Sequence, residues 1–135
     1  MSSLKELKLA EKSAVQQQQV ITELNALVRD IERCDKTIGD LQRDLATANA
    51  KYPSPRTTRD DIAYLTDLLK CAHKKLAWEK QLASMQKRTP VVLERMSQLL
   101  NDPKNPPPDQ VRVQMLEALQ GVQGAMERLQ NVKTN

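Results

Sequence analysis

From Leu4 to Ala50 the chain contains no proline and one glycine, Gly39. Nothing there stops a helix once it has begun, and at about 1.5 Å per residue it reaches on the order of 70 Å. A helix of that length outruns a small globular core and needs other helices laid along it. Composition points the same way. Among 135 residues there are no Phe, one Trp, two Tyr and three Gly, while Leu, Ala, Gln, Lys, Glu and Arg dominate. Large aromatics for a compact core and glycines for tight turns are scarce, whereas straight-chain residues favour helix. The expected class is all-α: a long coiled-coil helix followed by shorter helices, forming an elongated helical hairpin or bundle.

Within the first segment, residues 1–50, the positions Leu24, Leu27, Ile31, Cys34, Ile38, Leu41, Leu45 and Ala48 alternate steps of three and four. That is a heptad seam, about three and a half heptads long. Leu4, Leu7, Ala10, Ala14 and Ile21 form a thinner, offset stripe, and the run Gln16 to Gln19 between the two reads as a solvated helix surface. Tyr52-Pro53-Ser54-Pro55 closes the segment, because proline lacks a donor and pushes the residue before it out of the α region. Residues 51–58 are therefore a chain reversal.

A second helix, 59–88, starts on Thr58-x-x-Asp61, whose hydroxyl is placed to cap the N–H at Asp61. Its stripe is Ile62, Leu65, Leu69, Ala72 and Leu76, widened by Leu68, Trp78, Leu82 and Met85. Thr89-Pro90 reads as a break and restart, giving a short helix over 89–100 with Val92, Met96 and Leu99 inward. Residues 101–109, with Pro103, Pro106, Pro107 and Pro108, form a stiff polar linker. Asp109 is expected to cap a C-terminal amphipathic helix over 110–132, bearing Met115, Leu119, Val122, Met126 and Leu129. Gly121 and Gly124 each weaken that helix by about 1 kcal/mol relative to Ala, as tolerated surface positions or as points of close backbone approach.

Chemistry-bearing residues are sparse. His73 is the sole imidazole and stands among Lys70, Lys74 and Lys75, with no Ser or carboxylate at a triad spacing and no glycine-rich loop to hold phosphate. Asp60 and Asp61 are accounted for by the positive end of a helix. Cys34 and Cys71 lack paired-cysteine spacing, so they read as buried free thiols suited to a reducing compartment, cytosol or nucleus. No catalytic residue, metal ligand or cofactor is assigned, and no small-molecule substrate is expected. No apolar run approaches a signal core or the roughly 20 residues of a membrane span. A cytoplasmic chain without direct membrane insertion is expected.

The formal net charge is +4, and it is concentrated in Lys70, Lys74, Lys75, Lys80, Lys87 and Arg88 against Glu79. These bases are either a solvated face or a contact for an acidic partner: nucleic acid, a microtubule surface or an anionic helix. Stacking aromatics and clustered Arg, which nucleic-acid binding favours, are missing.

The order of features is similar to that of a known family. A long coiled coil ends at Tyr52-Pro53; a helix follows with Ile62, Leu65, Leu69, Lys80 and Leu82; then come Thr89-Pro90-Val91-Val92-Leu93-Glu94-Arg95 and a terminal Ala125-Met126-Glu127-Arg128-Leu129. Over about residues 24–130 this resembles the smaller coiled-coil subunits of augmin, the microtubule-branching complex of the spindle. The chain departs from that pattern in its shorter length, in the residues between Pro90 and Glu94, and in its Pro106–Pro108 linker. The resemblance implies a mitotic scaffold, located on the cytoskeleton and spindle, that supports microtubule-dependent nucleation and γ-tubulin recruitment through its complex.

The expected partners are other coiled-coil subunits of a hetero-oligomer, met through Leu24, Leu27, Ile31, Ile38, Leu41, Leu45, Ile62, Leu65, Leu69, Leu76, Leu119 and Met126. Two other readings share the same helical pattern: an adaptor in a vesicle or organelle tethering complex, and a small basic nucleic-acid-binding bundle.

Overall fold

Ser3 lies in an extended conformation and its hydroxyl accepts the Glu6 N–H at 3.2 Å, so helix α1 (Leu4–Lys51) begins with a capped end and an acid in its first turn. The structure, a computed structural model, describes residues 3–134, with side chains as far as Gln130; the first two residues of the expected 1–50 segment lie outside it. Two further helices follow, α2 (Thr58–Leu100) and α3 (Asp109–Thr134), with no strand among the described residues. The fold is all-α.

The chain reverses twice. Partner pairs run Asn49 with Tyr64, Asp44 with Lys74, Cys34 with Trp78, Asp30 with Arg88 and Glu23 with Arg95, so α2 returns antiparallel along nearly the whole of α1. The second reversal, through the proline linker, sends α3 parallel to α1: Gly121 meets Val28 and Arg128 reaches Glu32. Among the residues whose side chains are described, the stretch of α1 from about Gln17 to Ile38 is therefore the one packed against the three-helix core. Beyond it the molecule is a two-helix hairpin, and residues 4–16 project as a largely exposed helix with Leu4, Leu7, Leu9 and Val15 in solvent.

The three-helix section carries the core. Val20, Leu24, Leu27 and Ile31 of α1, Leu82, Met85, Val92, Met96 and Leu99 of α2, and Met115, Ala118, Val122, Ala125 and Leu129 of α3 form one buried cluster. Removing apolar side chains from water contributes about 2 kcal/mol for each Leu or Ile fully buried, which orders a long helix that propensity alone leaves marginal. Trp78 sits at the end of the cluster, where its indole N–H donates to the Cys34 carbonyl at 2.9 Å. The buried aromatic thereby keeps a partner for its one polar atom.

Several boundaries differ from the sequence expectation. The second helix does not stop at residue 88 and restart over 89–100: α2 is continuous through Pro90. Proline removes one backbone donor and crowds the carbonyl four residues earlier, here that of Gln86. Both Pro90 and Gln86 lie on the exposed side, while Met85, Thr89 and Val92 are buried on the other. Core packing on both sides of the defect holds the helix together. The cap of α2 is Thr57, not Thr58, its hydroxyl accepting the Asp60 N–H at 3.1 Å. Asp109 is the first residue of α3 and not its cap, since the Arg112 N–H already bonds to the Pro108 carbonyl at 2.9 Å.

The glutamine run is not uniformly solvated either. Gln18 and Gln19 are exposed, but Gln17 is buried and its amide donates to the Asn105 carbonyl at 3.3 Å. With Pro107 also buried and Asp102 accepting the N–H groups of Lys104 and Asn105, the proline linker is fastened down over α1.

Candidate partner-binding faces

The α1–α2 seam decides which side chains remain for anything else. On α2 the residues facing α1 are Tyr64, Leu68, Cys71, Trp78, Leu82, Met85, Thr89, Val92, Met96 and Leu99, in steps that are multiples or alternations of four and three. Leu68, Trp78, Leu82 and Met85, expected only to widen the stripe, are thus its centre. Lys75 occupies the seam position held by Leu68 one heptad before it and Leu82 one heptad after it, and stays exposed.

One flank of this seam is charged. Lys74 donates to Asp44 at 2.5 Å, Arg88 to Asp30 at 2.9 Å and Arg95 to Glu23 at 2.5 Å. The three acids recur at multiples of seven along α1 and the three bases likewise along α2, so one ladder of ion pairs spans the hairpin. Each is solvent-exposed enough that it contributes little to stability but fixes helix direction and register. Asp44 also holds the Lys74 ammonium above its usual pKa by hydrogen bonding and Coulomb attraction. Between these rungs lie open grooves. One, of about 460 Å³, is lined by Ala26, Leu27, Val91 and Val92 under the Arg88 and Arg95 side chains.

The opposite flank is apolar, and α3 covers only part of it. Counting Ile62 as heptad position a, the stripe Ile62, Leu65, Leu69, Ala72, Leu76 occupies positions a and d, about a third of the way round α2 from its seam with α1. Two heptad repeats nearer the linker, the d positions are Leu93 and Leu100, both half-buried against the core. In the outer half none of the described residues covers the stripe: Ile62 is 63%, Leu65 62%, Leu69 58% and Leu76 53% exposed. α1 shows the same transition within one heptad position. Leu24 and Ile31, beside α3, are 0% exposed; Ile38 is half-buried; Leu45 is 37% exposed.

The far tip of the hairpin is built from the two tyrosines. Their rings meet edge to face at 6.1 Å, the Arg56 guanidinium lies 4.0 Å over Tyr64, and the Tyr64 hydroxyl donates to Asn49 at 2.6 Å. Arg56 also donates to the Tyr52 carbonyl at 2.6 Å, fastening the turn. These contacts account for both tyrosines as structural parts of the reversal.

The two thiols, Cys34 and Cys71, are buried and unpaired, and burial together with the nearby Asp30 carboxylate pushes the Cys34 thiol up from its usual pKa. His73 is exposed. Among the described residues no three His, Cys, Asp or Glu side chains gather as metal ligands. No helix among them is long and apolar enough to cross a membrane.

Placed on this structure, the expected partner residues separate into three groups. Leu24, Leu27, Ile31 and Leu41 are buried within the chain, so most of the α1 seam is closed by the chain's own α2 and α3. Ile38, Leu119 and Met126 are half-buried against the same core. Leu45, Ile62, Leu65, Leu69 and Leu76 remain open. The basic set separates too: Lys74 and Arg88 are paired with α1, whereas Lys70, Lys75, Lys80 and Lys87 make no ion pair among the described residues. The charged ladder was readable from the spacing of Glu23, Asp30 and Asp44 against Lys74, Arg88 and Arg95. The Gln17–Asn105 contact had no sequence signal, since it depends on where the linker lands. No protein-family model, curated protein or solved structure matches the chain.

Proposed function

We propose that this chain is a non-enzymatic structural subunit of a hetero-oligomeric coiled-coil assembly, and that its specific setting is augmin-like: spindle assembly, through microtubule-dependent nucleation and γ-tubulin recruitment. The observation that carries the subunit reading is the uncovered stripe Ile62, Leu65, Leu69, Leu76. Isolated exposed leucines are ordinary, but four large aliphatics at coiled-coil spacing on one helix face form a contiguous apolar strip, which marks an interaction surface. The spindle setting rests on the resemblance of residues 24–130 to augmin subunits.

The test is a pair of tagged variants in dividing cells, read by co-purification and by imaging through mitosis. Leu65→Asp with Leu69→Asp puts charges on the exposed strip and should abolish recovery of coiled-coil partners and spindle staining while the protein level holds. Ile31→Asp, in the core, should instead lower the protein level itself, because an unpaired charge would be buried. Undiminished partner recovery by the Leu65/Leu69 variant refutes the strip as the interface. Recovery of membrane-trafficking proteins with punctate staining refutes the spindle setting and favours a tethering adaptor.

A further inference from the structure

We infer that the charged flank of the hairpin, a surface separate from the apolar strip of α2, is a docking groove for an acidic peptide segment of a partner protein. Two of the open grooves between the ladder's rungs meet at Arg88. One is walled by Arg33, Lys80 and Arg88 around Asp30, and the other by Lys87, Arg88 and Arg95 around Glu23. Five basic side chains thus stand against two carboxylates. That surplus of three is most of the formal net charge of the whole chain, +4, so its positive field is concentrated on this flank, on the side of the hairpin away from α3.

The pairing of these bases decides which of them can take a new partner. Arg88 and Arg95 are held by Asp30 and Glu23. Arg33 reaches Asp30 only at 3.9 Å, and Lys80 and Lys87 make no ion pair among the described residues. Lys80 and Lys87 are seven residues apart, about 10 Å along α2. Beside Lys87 the groove has an apolar floor of Ala26, Leu27, Val91 and Val92, with Val91 57% exposed.

The flank therefore asks for carboxylates about 10 Å apart with aliphatic side chains between them, and an extended peptide, rising about 3.3 Å per residue, supplies this with an acid at every third position. Nucleic acid fits less well. A phosphate at every nucleotide brings some of them against Asp30 and Glu23, and no aromatic ring lines either groove to stack on a base: Trp78 is buried and the tyrosines are at the far tip.

The experiment uses the full chain and fluorescein-labelled peptides of about 12 residues, with Glu at every third position and Leu and Ser between. One control peptide has Lys for Glu, a second has Ser for Leu, and an oligouridylate of equal length is the nucleic-acid probe. Binding is read by fluorescence anisotropy. The Glu peptide should bind, weaken as salt rises, and bind at least about tenfold more tightly than either control peptide or the RNA. Lys80→Glu with Lys87→Glu should weaken it by about tenfold or more, with helicity and urea midpoint unchanged because both side chains are exposed. Lys5→Glu with Lys8→Glu makes the same change of net charge on the projecting end of α1 and should leave binding as it was. Equal weakening by the two double variants would show attraction to net charge alone and overturn the inference. Failure of the Glu peptide to bind, equal binding of the Lys peptide or the Ser-for-Leu peptide, or tighter binding of the RNA overturns it as well.

Discussion

Gly121 and Gly124 lie one helical turn apart on α3 and receive the same substitution with opposite expected results. Replacing either by Ala removes the conformational freedom of glycine in the unfolded chain and gains about 1 kcal/mol of helix stability. At Gly124 the new methyl meets only the Arg128 guanidinium, at 3.6 Å, an ordinary contact with the movable end of a side chain. The full gain of about 1 kcal/mol should appear. At Gly121 the new methyl lies 3.2 Å from Val28 Cγ2, tighter than normal packing. Val28 is β-branched on a helix and has little rotamer freedom, so α3 must shift away from α1 by a few tenths of an ångström.

Overpacking of that kind costs about 1–3 kcal/mol, which cancels or exceeds the helix gain and places Gly121→Ala between neutral and about 2 kcal/mol destabilising. Urea unfolding followed by circular dichroism measures both variants, and the slope checks that the transition stays two-state. Val28→Ala should relieve the clash, so the double variant with Gly121→Ala should show positive coupling in a cycle. Equal stabilisation by Gly121→Ala and Gly124→Ala would refute the close approach of α3 to α1.

Two further outcomes are expected. Trp78→Phe leaves the Cys34 carbonyl without its 2.9 Å indole donor and thins the core where three helices become two, so it should cost about 1–3 kcal/mol in urea unfolding read by circular dichroism; an unchanged midpoint would show that the indole adds nothing there. Alkaline pH should destabilise the hairpin: the folded pKa values of Cys34 and Lys74 are raised above 9.0 and 10.5, so their contributions are complete below those values and are lost as pH rises through the folded ones. Urea midpoints measured from pH 8 upward test this, and Cys34→Ala with Lys74→Met should flatten the decline; an identical slope in wild type and variant would refute it.

Periodicity and proline placement determined much of this fold, because both act through neighbouring residues. The span of α1 follows from the absence of proline between Leu4 and Ala50, and its end from Tyr52-Pro53-Ser54-Pro55. The linker follows from Pro103 to Pro108, and the inner face of α3 from Met115, Val122 and Leu129. Tertiary structure decided which apolar stripe meets which helix. α2 carries two, one on Ile62, Leu65, Leu69, Leu76 and one on Tyr64, Leu68, Cys71, Trp78, and a pattern of hydrophobic spacing contains no term for the identity of the partner. The second stripe wins the α1 seam, where the buried Trp78 finds its carbonyl and Lys74, Arg88 and Arg95 find their acids.

The same limit made the Leu24 to Ala48 seam look like an external interface, when the chain's own helices close most of it. Pro90 likewise breaks an isolated helix but not one held on both sides of the defect by a packed core. Local sequence set where helices are possible; the competition among faces for burial set which of them are used up and which, on the outer half of α2, are left open.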